Sequence, residues 1–351
     1  MDSAPVAATV VVRPHVDIGA LDGPSWFALH RVSHALFLPD ARIAVVTHDS
    51  NQVYVYDSTG AFKERFGRTG VGPGEFRAID WIGVGPDDSL AILDAFWPEQ
   101  VSFFDATFRF GRRVPAVNAS GLGELVLHGM FADGSFLASA QGGSPCDDFP
   151  APPGLQWNCV RYYRSDARAG QVDTIAGRYP WQIPGKTTFY VFGPRPQAAA
   201  SDSGFYYTYA MTPEVRRYHA DGRPEWIARV PRPPRVVTSE MIDAFNTRRN
   251  ATVHPAVLAR SRSLGPPHYA THQPAYDALI AAGDGGVWAR QYEYPADSAA
   301  VWDVFDARGL YRGVVRLPTR FTVFSADSRR VLGVWRDSLD IEHVRVYRVV
   351  E

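Results

Sequence analysis

The amino-acid sequence predicts an all-β chain: a six-bladed β-propeller of four-stranded antiparallel blades, its ring closed by an N-terminal strand that joins the last blade, with a partly helical insertion near 231–272. Three observations lead there. The segment 41–67, ARIAVVTHDSNQVYVYDSTGAFKERFG, reads as three short strands joined by turns, and its centre places Val53 three residues before Tyr56. That pair recurs as Val101 and Phe104, Val160 and Tyr163, Val215 and Tyr218, Trp302 and Phe305, and Val344 and Tyr347. Finally, the last sheet is one strand short, while residues 6–13, a β-branched run, have no partner strand close by; joining the two removes both anomalies and an exposed edge.

In chain order, 1–5 is a polar tether and 6–13 the closing strand. Blade one spans 33–66, with strands at 33–38, 42–48, 52–57 and 61–66. The bridge 67–76, GRTGVGPGEF, carries the chain from the outer edge of one blade to the centre of the next. It lacks a GK[ST] ending, and Pro73 removes an N–H that a phosphate cradle would use, so a structural crossing is the better reading. Blade two spans 79–114. Blade three spans 124–177, its two middle strands separated by a loop containing both cysteines. Blade four, 189–230, is looser, with an inner strand at either 189–192 or 197–200.

Residues 231–272 then break the rhythm. Pro231, Pro233 and Pro234 end the sheet, Thr238 or Ser239 can cap a helix with Met241, Ile242 and Phe245 on one face, and a second helical turn is expected at 256–262. The insertion is either a lid or a decoration packed on the propeller. Blades five and six occupy 275–317 and 321–351.

Composition bounds the function. Apolar residues make up 46%, aromatics 13% and charged residues 21% of 351, enough for a buried core, and 30 glycines and 27 prolines suit many short strands with turns. A formal net charge of −1 argues against nucleic acid as a partner, and no apolar run is long enough for a transmembrane helix. Cys146 and Cys159 close a small loop, and a pair alone cannot make a structural zinc site. A disulfide is expected over two free thiols, worth ~2–4 kcal/mol and implying an oxidising compartment, periplasmic or extracellular. Residues 1–5 carry no charged or apolar signal region, so an export signal is expected upstream, with Met1 standing where a lipoprotein would carry its lipidated cysteine.

The unit resembles the six-bladed propellers of the NHL-like and TolB-like broad class, particularly exported bacterial proteins. The resemblance rests on 40–45 (DARIAV), 51–57 (NQVYVYD) and the linker 70–76 (GVGPGEF). It implies function at the mouth of a central channel, where loops between the second and third strands gather. That face is expected to receive His48, Asp49, Asp94, Phe96, Trp97, Tyr209, Arg290, Tyr292, Arg336 and Asp337, a candidate funnel for a small-molecule or protein ligand. His34, His128 and His272 lie near the starts of inner strands and are candidate ligands for a divalent metal in the channel, as the resemblance to NHL-like lyases and propeller lactonases suggests, although His272 is out of register with the other two. No nucleophile elbow, HExxH, P-loop or dinucleotide fingerprint is present. The Asp pairs at 87–88 and 147–148 lack calcium-loop spacing. A binding propeller is the first reading, a metal-assisted lyase or hydrolase, lactonase-like or NHL lyase-like, the alternative.

Overall fold

The computed structural model describes residues 9–10, 13–96, 99–115, 125–140, 155–165, 172–184, 190–263, 266–294 and 297–350. Among them run six antiparallel sheets. Blade one is built from Val32–Phe37, Ile43–Thr47, Gln52–Tyr56 and Phe62–Phe66. Blade two has Ile79–Val84, Leu90–Asp94, Gln100–Phe104 and Phe110–Pro115, and blade three Leu125–Met130, Phe136–Ala140, Leu155–Ser165 and Val172–Pro184. Blade four has Gln197–Ser201, Gly204–Thr208, Glu214–His219 and Pro224–Arg229. Tyr276–Ala281, Val287–Gln291, Ala299–Phe305 and Tyr311–Pro318 make blade five. Phe321–Ala326, Arg330–Arg336 and Glu342–Val350 supply three strands of blade six.

The repeated Val and aromatic pair marks the third strand of every blade, and its spacing has a physical cause. Residues three apart in a strand point to opposite faces, so a strand packed on both sides needs a large apolar group on each. Val53 and Val55 join the core between blades one and two, while Tyr54 and Tyr56 join the core between blades six and one. Val344 and Tyr347 divide in the same way between the cores on either side of blade six. At about 25 cal/mol per Å² of apolar area removed from water, these inter-blade cores are the principal favourable term in the fold. After this strand, Asp57, Asp105 and Asp306 each accept backbone N–H groups two and four residues on, for example from Thr59 at 2.9 Å and Ala61 at 3.0 Å. The tight reversal puts Gly60 at φ 87° and Gly309 at φ 77°, conformations that favour glycine.

The ring closes on the last strand as expected, and the closing segment extends beyond the expected run. Val16–Ile18 is the fourth strand of blade six, pairing Val16 with Val346, Asp17 with Arg345 and Ile18 with Val344. Of the run 6–13, the described residues Thr9–Val10 extend the closure, opposite Val350 and Val349, and Thr9 also meets Arg316 of blade five. The alternation in 16–18 decides the matter: Val16 and Ile18 are buried in the core, whereas Asp17 faces outward to His343 at 2.9 Å and Arg345 at 2.9 Å. Blade six is also fastened to blade one by buried Glu342, whose Oε2 accepts the Val32 N–H at 2.6 Å while Oε1 accepts Arg336 at 2.7 Å.

Of the two candidates for the inner strand of blade four, Gln197–Ser201 is the one found. Tyr190–Val191 pairs instead, in parallel, with His268–Tyr269 of the insertion. The glycine-rich bridge is structural. Glu75 accepts Gly72 N–H at 2.8 Å and Arg68 Nε at 2.7 Å, Arg113 reaches the carbonyls of Val71, Gly72 and Glu75, and Phe76 is fully buried between blades one and two. Residues 87–88 lie in the short 3-10 turn Pro86–Asp88; 147–148 lie outside the described residues. Cys146 and the side chain of Cys159 also lie outside them, and the expected disulfide with them.

Two substitutions probe these joints. Phe76→Ala is expected to lower unfolding free energy by about 3–5 kcal/mol through the cavity it leaves. Glu342→Ala is expected to cost roughly 3 kcal/mol by stranding Val32 N–H and Arg336. Urea denaturation checks both; a loss under about 0.5 kcal/mol for Glu342→Ala contradicts its role in closure.

Candidate functional site: the channel and the loop-rich face

The six inner strands line a central cavity of about 760 Å³, whose walls include His34, Leu36, Trp81, His128, Ala199 and Phe324. Pairing of the inner strand slips by one residue in five of the blades, at Val32/His34, Ile79/Trp81, Leu127/Gly129, Tyr276/Ala278 and Val323/Ser325. Each slip is a β-bulge that adds twist where the strands converge and re-aims a side chain.

His34 and His128 both face this cavity, and both imidazoles are held neutral. Loss of hydration lowers each pKa from 6.5 to about 4, only partly opposed by a hydrogen bond to the backbone of Ile82 for His34 and of Ala198 for His128. His128 Nε2 also lies 2.7 Å from Ser139 Oγ. Each histidine thus ties its own blade to the next: one to two, and three to four. The third candidate ligand is elsewhere. His272 is exposed beside the insertion, where it bridges to Val236 and lies 3.1 Å from Thr271 Oγ1. Among the described residues no group of three or more His, Cys, Asp or Glu side chains could hold a metal ion. The donor set therefore does not fit a three-histidine centre.

The face formed by the turns between second and third strands and by the crossings between blades is where the remaining candidates were expected, and most of their polar groups are engaged within the fold. Asp94 is buried and closes its own blade, accepting the N–H groups of Arg77, Ala78 and Phe96 at 3.2, 2.9 and 3.3 Å. Arg290 is paired with Asp277 at 2.6 Å and Glu293 at 3.6 Å. Burial nonetheless keeps the Asp277 carboxyl above its ordinary range. Arg336 is held by Glu342, and Asp337 caps its turn by accepting Leu339 and Ile341 N–H at 2.8 and 2.9 Å. Tyr209 packs in the core between blades three and four, where burial raises its phenol pKa, and Tyr292 is raised by burial too, edge-on to Phe192. Trp97 lies outside the described residues.

His48 and Asp49 remain exposed. Asp49 receives His30 Nδ1 at 2.7 Å and Arg31 Nη1 at 2.8 Å, with His48 Nδ1 at 3.8 Å. These bonds, that from His30 foremost, hold its carboxyl below the usual range. His30 and Arg31 carry no sequence signal of their own; the antiparallel pairing of Val32 with Thr47, and the His48 N–H donated to the Arg31 carbonyl at 2.9 Å, set them beside this turn.

The insertion is docked on the same face. Helix α1, Ser239–Thr252, starts at Thr238, whose hydroxyl accepts Met241 N–H at 3.3 Å, and helix α2 covers Pro255–Ser263. Met241, Ile242 and Phe245 pack with Val191, Phe192, Ala270 and Tyr294 in a separate apolar cluster. Next to it lies a small recess walled in part by Arg232, Gln273 and Tyr292; the first two were not singled out from the sequence.

Residues 21–114 match a family model described as a 6-bladed beta-propeller. The chain is a six-bladed β-propeller. The resemblance to bacterial six-bladed propellers read from the sequence is thereby supported. Among solved structures, a member of the DUF4221 family from Bacteroides vulgatus is 10% identical, with TM-score 0.54, covering 98% of this chain and 99% of its own. A candidate exported protein from Bacteroides fragilis is 12% identical, with TM-score 0.52, covering 94% and 93%. A gluconolactonase from Xanthomonas campestris is more distant, 11% identical with TM-score 0.44, covering 91% and 86%. At these identities the likeness is one of fold. No curated protein matches the chain.

Between pH 6.5 and about 4, His34 and His128 take up protons in the unfolded chain while staying neutral in the fold. The propeller should therefore lose stability as pH falls through that window, by up to about 1.4 kcal/mol per pH unit for each histidine. Urea midpoints at pH 7 and pH 5 check this. In His34→Gln/His128→Gln the slope is expected to flatten, and an unchanged slope contradicts the assignment.

Proposed function

We propose that this propeller is an exported binding protein, periplasmic or extracellular, that holds a protein or other ligand with its loop-rich face. The observation that carries the reading is where apolar side chains stay in water. Val71, Phe96, Met211, Val236 and Leu339, each more than half exposed, lie on crossings or on turns between second and third strands, all on this one face. An isolated exposed apolar residue is ordinary, but their concentration on the side that also carries the insertion and the His30, Arg31, His48 and Asp49 cluster supports a contact surface. No helix among the described residues is long and apolar enough to cross a membrane, and the fold likeness to a candidate exported protein supports the proposed location.

Site-directed photo-crosslinking in the native cell tests the surface. A photoreactive residue at Val71, Phe96, Met211 or Leu339 should give discrete adducts, whereas one at Ile227 or Leu310, exposed away from these loops, should not. Equal labelling from both sets defeats the reading of the face. Recovery of the protein solely from the cytoplasmic fraction defeats the proposed location.

A further inference from the structure

The recess beside the insertion is a built polar pocket of about 100 Å³ between the turns of blades four and five. Its walls are firm: Pro213, Pro233, Pro234 and Pro274 line it together with Met211 and the ring of Tyr292. Two polar groups in its lining lack partners among the described residues. Gln273 is 4% exposed; its N–H donates to the Arg235 carbonyl at 2.8 Å and its Nε2 lies 3.6 Å from Met241 Sδ, but Oε1 has no hydrogen bond. Arg232 is anchored through Nη1 to Asp303 Oδ2 at 2.9 Å, while its buried Nη2 is unbonded. Asp303 is itself fully buried and accepts from Tyr276, Gln291 and Tyr311 at 2.7, 2.9 and 3.2 Å, so the guanidinium is fixed in place. A buried donor and a buried acceptor, both unbonded on residues that line one recess, call for a ligand with the opposite pair.

We propose that this recess takes a neutral carboxamide, the end of an asparagine or glutamine side chain on a bound protein. The carboxamide oxygen accepts from Arg232 Nη2, and its NH₂ donates to Gln273 Oε1. A carboxylate would set its lone pairs against Gln273 Oε1, and an ammonium would face the guanidinium. The volume admits a side-chain tip but not a sugar ring or an aromatic cofactor. Only the source of the carboxamide rests on the reading of this face as a protein-binding surface; the pocket's own preference stands apart from it.

The test uses the whole chain and acetamide as the probe, followed by NMR of ¹⁵N-labelled protein. Saturable shifts are expected at the Gln273 side-chain NH₂ and at the Ala275 and Tyr292 amides, with millimolar affinity, while acetate at equal concentration gives none. Gln273→Met, which keeps the volume and removes the acceptor, should weaken acetamide about tenfold, the effect of one hydrogen bond. Should that variant fold poorly, the discrimination between acetamide and acetate by the unaltered protein decides alone. Absence of saturation, equal or tighter acetate binding, or an undiminished affinity in a folded Gln273→Met overturns the proposal, as does a crystal soaked in acetamide that shows only water in the recess. Crosslinks on the loop-rich face with no acetamide binding would leave the binding surface standing and remove the pocket's role; acetamide binding without crosslinks would do the reverse.

Discussion

Closure of the ring by Val16–Ile18 against the last strand is the constraint on which the rest depends. A blade buries little by itself, because its sheet is apolar on both faces and needs a neighbour on each side. Six such sheets have six interfaces only if the first meets the last; otherwise one interface is lost and two apolar faces and a strand edge open to water. Val16 and Ile18 fill that final core alongside Tyr54, Tyr56, Val344 and Val346. Glu342 adds a directed bond, since its carboxylate is buried at the same joint and is satisfied from both blades at once. Closure thus couples sequence separations of more than three hundred residues, so the fold is strongly non-local.

The same economy governs charge. The chain is rich in arginine, and many of these residues are spent inside the architecture: Arg113 gathers three carbonyls of the crossing, Arg232 holds Asp303, and Arg336 holds Glu342. Planar guanidinium groups with several fixed donors suit this better than lysine would. The loop-rich face therefore carries less free charge than its composition suggests. Its uncommitted character lies in exposed apolar residues and in the unpaired atoms of the recess.

Much of the architecture was legible in the residues. The Val and aromatic pair identified all six third strands, because burial on both faces demands large apolar groups at odd and even positions alike. The cap at Thr238 and the apolar face of Met241, Ile242 and Phe245 identified helix α1, because capping and helical period are local properties. Of the closing segment only part was legible: β-branching marked 6–13, whose residues Thr9–Val10 meet Val350 and Val349, whereas the short alternation in 16–18 gains its meaning only against Val344–Val346. The site was less legible. Asp94, Arg290 and Arg336 stand at strand ends, and which neighbours they bond is set by the register of the strands beside them, which residue type does not reveal.

By itself the sequence determined the number of sheets, their strand order and the place of the insertion, since these follow from periodicity, turn chemistry and the count of strands. Only the tertiary structure decided which polar groups are satisfied. That depends on distances between atoms far apart in the chain: Asp303 meets Arg232 across 71 positions, and Val32 meets Glu342 across 310. A side chain's type says what bonds it can form, and the closed ring alone settles which of them it has already made.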